Sequence, residues 1–90
     1  SAFCNPSVNF GVYKGRSYVV RMTVTGSNNM PSFTVGNGNV FKTQYVGKSG
    51  NVYTFRVWAI GNPGEKTGLY TQMPGDSKVV LHCEGQIAYG

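Results

Sequence analysis

Apolar and polar side chains alternate along most of this chain, and nowhere do apolar residues recur at the spacing of a helix. The clearest run is Ser17 to Thr25, with Tyr18, Val20, Met22 and Val24 on one parity and Val19, Arg21, Thr23 and Thr25 on the other. An extended backbone sends successive side chains to opposite faces, so one parity is buried and the other meets solvent. The runs are bounded by Gly, Pro, Asn and Ser, the residues that turn a chain. They predict strands at Ser7 to Tyr13, Ser17 to Thr25, Ser32 to Val35, Val40 to Val46, Val52 to Ile60, Leu69 to Gln72 and Lys78 to Glu84. Seven such strands in 90 residues predict an all-β fold, an antiparallel β-sandwich of the immunoglobulin-like kind. Tyr18, Val20, Met22, Phe55 and Val57 are its expected core. A chain this short holds one core, so residues 1–90 are one module, with Gly85 to Gly90 as a tail.

Cys4 and Cys83 stand 79 positions apart. Cysteines that hold zinc come in pairs about two to four residues apart, so the spacing speaks against a metal site. It predicts instead a disulfide between the first and last strands, formed in an oxidising, extracellular compartment. Closing so long a loop would constrain the unfolded chain by about 4–5 kcal/mol. Two buried thiols in a reducing compartment are the alternative. The chain opens at Ser1 with no initiator Met, as a processed product or an excised domain would. No apolar run is long enough to span a membrane.

The hairpin joining Val40–Val46 to Val52–Ile60 decides which side chains share a face. A two-residue loop of Ser49 and Gly50 would set Phe41 against Trp58 and Lys42 against Val57, mixing polar and apolar residues on both faces. A three-residue loop of Lys48, Ser49 and Gly50, with Gly50 in the left-handed position of a bulge, sets Gly47 against Asn51. Phe41, Thr43 and Tyr45 then stand beside Val57, Phe55 and Tyr53 on the core face. Val40, Lys42, Gln44 and Val46 stand outside, beside Trp58, Arg56, Thr54 and Val52.

Catalysis finds little support. The single histidine, His82, lies in a strand next to Cys83, and Glu65, Asp76 and Glu84 are scattered. A glycosidase needs two carboxylates across one cleft, one of them in apolar surroundings that raise its pKa. The stretch Gly36-Asn37-Gly38-Asn39 lacks the Lys-Ser/Thr and the helix of a phosphate loop, so it reads as a turn. No enzyme activity, cofactor or metal is therefore expected.

The net charge is +5, from eight Lys and Arg against three carboxylates. Such a balance favours anionic partners. The cations are spaced singly, without the block that marks a nucleic-acid-binding tail. Lys42, Arg56 and Trp58 form the one constellation that points to a ligand. Like charges opposed across a strand pair cost stability, and an outward Trp offers a flat ring for a sugar or a cation. Together they would suit an anionic saccharide or a sugar phosphate. Alternatively, Trp58 packs into the sandwich or under the loop at Asn62 and Pro63, and the cations splay into solvent.

Three segments, PSFTVGNGNVF (Pro31 to Phe41), YTFRVWAIGNPGEKTGLYTQMPGD (Tyr53 to Asp76) and VVLHC (Val79 to Cys83), resemble small β-sandwich modules attached to secreted cell-wall hydrolases of gut Firmicutes, notably lysozyme-type muramidases. The resemblance runs from about Tyr18 to Cys83 and rests on turn glycines, prolines and core aromatics. It implies a secreted, cell-surface accessory module that holds a linked catalytic domain near its wall polymer, and it transfers no catalytic residue. The function expected is thus a non-catalytic module that binds cell-wall polysaccharide or another anionic glycan. A structural spacer or protein-interaction domain without a sugar ligand, and a small secreted basic toxin or inhibitor, are the competing readings.

Overall fold

Tyr53, Phe55, Val57 and Ala59 are buried along one strand, while Thr54, Arg56 and Trp58 between them reach toward solvent. This alternation organises the computed structural model, which describes residues 1–90. Eight strands and no helix are present: β1 (Ala2–Asn5), β2 (Phe10–Val12), β3 (Ser17–Val24), β4 (Ser32–Val35), β5 (Phe41–Ser49), β6 (Val52–Ala59), β7 (Lys66–Gln72) and β8 (Val79–Ile87). One sheet has the order β1-β3-β6-β5 and the other β2-β8-β7-β4. Every pair is antiparallel except β2 with β8. The inner faces of both sheets form one core, with Phe41, Met22, Leu69 and Ile87 its largest fully buried side chains. Val20, Met22, Phe55 and Val57 are buried as expected. Tyr18 is half-buried and stacks on Phe10 with ring centroids 4.2 Å apart.

The opening of the chain is divided between the sheets. β1 pairs with β3 and β2 with β8, and buried Pro6 lies where the chain crosses over. The strand expected over Ser7 to Tyr13 is thus only Phe10–Val12, and the eighth strand is β1, too short to show an alternation of its own. At the other end, β8 continues to Ile87. Gly85 and Ile87 are buried in it, so these residues belong to the core rather than to a tail.

The expected disulfide is not formed: Cys4 and Cys83 are free, buried thiols. Cys4 lies on β1 in one sheet and Cys83 on β8 in the other, and the Cys83 thiol donates to the Pro6 carbonyl at 3.4 Å. Burial, and then the neighbouring Cys83, push the Cys4 thiol up to about 12. Burial also pushes up Cys83. The thiolate, the form that attacks another sulfur, is thereby disfavoured, and both side chains pack as small apolar groups.

From Phe41 to Tyr45 the β5–β6 hairpin keeps the expected faces but not the expected pairs. Val40, expected outside, instead closes the turn ahead of β5, its N–H donating to the Asn37 carbonyl, and is buried in the core. Ser49 pairs with Val52 across a turn of Gly50 and Asn51, and Gly50 has φ +59°. Glycine at the first central position is what a type II′ turn requires. A bulge between Tyr45 and Gly47 then shifts the register, so that Tyr45 meets Phe55, Thr43 meets Val57 and Phe41 meets Ala59. Each of these partners lies two residues beyond the one expected. A shift of two preserves the face, and Phe41 is buried as anticipated. Tyr45, near the open edge of β5, remains 48% exposed. Bulge, Lys42 and Lys48 together discourage further pairing along that edge.

Candidate functional site

The outer face of the β1-β3-β6-β5 sheet carries the three residues singled out in the sequence. Trp58 points outward from β6 and is 39% exposed, so it is not a core residue. Its indole N–H donates to Gln44 Oε1 on β5 at 2.9 Å. Arg56, two residues back on the same strand, is half-buried and donates from Nη1 to Ser17 Oγ on β3 at 3.0 Å. Lys42 is exposed on β5 directly opposite Trp58.

The observed register corrects the expected juxtaposition of the two cations. Lys42 faces Trp58 and Arg56 faces Gln44, so Lys42 and Arg56 are diagonal neighbours, about 7–8 Å apart between backbones. The bulge beyond Tyr45 produces this offset. The direct opposition of like charges is therefore absent, and what remains is an ammonium beside an indole with a guanidinium one step away. Gln44 and Ser17 hold the indole and the guanidinium in place. Sequence reasoning passed over both, although each has the parity that faces outward.

No strand of this sheet contains Asp or Glu. Two of the three carboxylates serve turns instead: Glu65 Oε1 accepts the Asn62 N–H at 2.5 Å, and Asp76 Oδ1 accepts the Lys78 N–H at 2.9 Å. Glu84 lies on β8 in the other sheet. The positive field of the outer face is thus uncompensated within its own sheet.

The surface here is open. None of the clefts, of about 280 to 410 Å³, is lined by Arg56 or Trp58, and one of about 370 Å³ between β4 and β5 borders Lys42. An outer face that carries an exposed indole beside cations suits a ligand laid along it rather than one enclosed in a pocket. Elsewhere, His82 is half-buried with Nε2 2.6 Å from Thr71 Oγ1, and burial lowers its pKa, favouring the neutral ring. No three residues among His, Cys, Asp and Glu come together as a metal site. No helix is long and apolar enough to cross a membrane.

No protein-family profile matches this chain, and neither does any curated protein.

Proposed function

We propose that this domain is a non-catalytic, extracellular module that binds anionic cell-wall glycan on the outer face of the β1-β3-β6-β5 sheet and positions a linked hydrolase. The observation that carries the reading is Trp58, exposed on an acid-free sheet with Lys42 opposite it and Arg56 diagonal to Lys42. An indole provides a flat apolar surface for a sugar ring, and the two cations meet carboxylate or phosphate groups on the same chain. The secreted setting and the linked enzyme come from the resemblance in Pro31–Phe41, Tyr53–Asp76 and Val79–Cys83. An immunoglobulin-like architecture belongs to the same reading. It is supported by the order β1-β3-β6-β5 against β8-β7-β4, which follows the two-sheet order of such domains, with β2 as an extra piece of the first strand.

Sedimentation with purified cell-wall material across a salt series tests the proposal. The parent should co-sediment at low salt and release as salt rises, because exposed charges are screened within about 8–10 Å at ordinary ionic strength. Trp58→Ala should fold and lose about tenfold or more in affinity. A folded Trp58→Ala domain that binds as well as the parent would overturn the reading. A second reading, a spacer or protein-interaction domain, is favoured by Val79 and Leu81, which stand 54% and 56% exposed on β8. Failure of the parent to bind wall material would leave that reading in place.

A further inference from the structure

We infer that the ligand of this face is a linear polyanion lying diagonally across the sheet, with Arg21 as the third cation of its track and Phe3 at its far end. The inference rests on the glycan-binding reading and specifies the ligand class. Lys42 on β5 stands opposite Trp58, Arg56 lies two residues back along β6, and Arg21 on β3 stands opposite Thr54, two residues further back. Each step therefore crosses one strand and two residues, about 7–8 Å between backbones. The three cations follow one line of about 15 Å. The next step along it is Phe3 on β1, opposite Thr23, whose partner on β6 is Val52. Phe3 is 65% exposed, although it lies on a strand whose neighbouring Cys4 is buried.

A single sugar acid or sugar phosphate at Trp58 would engage Lys42 and Arg56 and leave Arg21 idle. Three cations at even steps on a sheet with no carboxylate instead repel one another in the free domain, and a chain that repeats its negative charge relieves all three at once. Two of the three are arginines, whose forked guanidinium groups bind carboxylate or phosphate in two-pronged fashion. The aromatic rings speak to the rest of the polymer. Trp58 and Phe3 are separated by about 22 Å, from the strand rise and strand spacing. Rings so far apart cannot stack successive bases, as proteins that bind single-stranded nucleic acid do. They bound a stretch of polymer whose middle is held by charge. The ligand class is a linear glycan or polyol chain carrying a phosphodiester or carboxylate group at regular intervals.

Equilibrium binding over a salt series tests this with the intact domain and four probes: poly(glycerol phosphate), polygalacturonate, monomeric glycerol phosphate and single-stranded DNA. Arg21 is exposed, and Arg21→Gln keeps the strand intact. This variant should bind the preferred polymer about fivefold more weakly, with the slope of log affinity against log salt reduced by about 0.7. Its weak binding of monomeric glycerol phosphate should not change. Lys78→Gln removes one charge outside the sheet and should leave the slope as it is. Whichever of the two anionic polymers binds more tightly identifies the anion as phosphodiester or carboxylate. If Trp58→Ala weakens polymer binding while Arg21→Gln matches the parent in affinity and slope, the extended track is wrong and the smaller site survives. If the parent binds neither anionic polymer, both readings fall. Tighter binding of the DNA than of either polymer overturns the assignment to a glycan.

Discussion

Replacing Gly85 by Ala adds one methyl group at the point where the two ends of the chain meet the core. A Cβ at this position would lie 2.8 Å from Phe10 Cζ and 2.9 and 3.0 Å from two ring carbons of Phe41. Carbon atoms at their optimum are about 3.5–4.0 Å apart, so both rings must retreat by several tenths of an ångström. Neither is free to do so. Phe41 is fully buried, and Phe10 is already stacked on Tyr18 at 4.2 Å. Overpacking of this sort costs about 1–3 kcal/mol. Gly85 does not have a positive φ, so Ala also gains about 0.4–1 kcal/mol by restricting the unfolded chain. Because two rings are struck at once, the first effect outweighs the second, and a net loss of about 1–2 kcal/mol is expected. At about 4–8 °C per kcal/mol for a domain of this size, the midpoint should fall by about 5–15 °C. Thermal unfolding followed by circular dichroism measures it. In a Phe41→Leu background, where only the Phe10 contact remains, Gly85→Ala should cost less. A Gly85→Ala variant as stable as the parent, or one equally damaging in both backgrounds, would refute the reasoning.

The cysteines give a prediction with a definite sign. The folded Cys4 thiol is raised from 9.0 to about 12, so the unfolded chain releases a proton that the folded one keeps. Stability is then fully present below about pH 9 and falls as pH rises toward 12, by at most about 1.4 kcal/mol per unit for this group, which urea unfolding at stepped pH would detect. Both thiols should resist alkylation in the native protein and react after denaturation; reaction at the rate of an exposed thiol in the native state would contradict their burial. In the β5–β6 turn, Gly50→Ala must place a Cβ at φ +59° and should cost about 1 kcal/mol in chemical unfolding. No loss there would mean that the turn relaxes to another type.

Face assignment was legible in the sequence because parity survives errors that registers do not. The alternation in β3 and β6 identified which side chains go inward, and this placed Trp58, Arg56 and Lys42 on one outer face before any pairing was known. The pairing itself was not legible. A two-residue turn with a bulge at Tyr45 to Gly47 and a three-residue turn with its bulge at Gly50 give the same faces from Phe41 to Tyr45, and nothing in Tyr45-Val46-Gly47 distinguishes them until the strands are laid side by side. That difference set Lys42 beside Trp58 instead of beside Arg56. Arg21 had the right parity in Ser17–Thr25, but its place on the diagonal depends on the β3–β6 register. β1 and the end of β8 escaped for a different reason. Ala2–Asn5 is too short for periodicity to show, and Gly85-Gln86-Ile87 looks like loose polar sequence until Phe10 and Phe41 are packed over the glycine. The state of the cysteines depends on burial and neighbours, which spacing along the chain does not reveal.

β2 and β8 run in the same direction, with Phe10 beside Gly85 and Val12 beside Ile87. Tension entering the domain ahead of β2 and leaving it beyond β8 would therefore drag the two strands lengthwise past each other. The bond from the Glu84 N–H to Asn9 Oδ1 at 2.8 Å and the bond from the Ala88 N–H to the Val12 carbonyl at 2.9 Å bracket that seam. In such a lap joint all the bonds share the load and must yield almost together. Hairpin strands drawn apart from their open end instead lose their bonds one at a time. Stretched along its own chain, the domain should hold far better than it would if the same force were applied across β7 and β8.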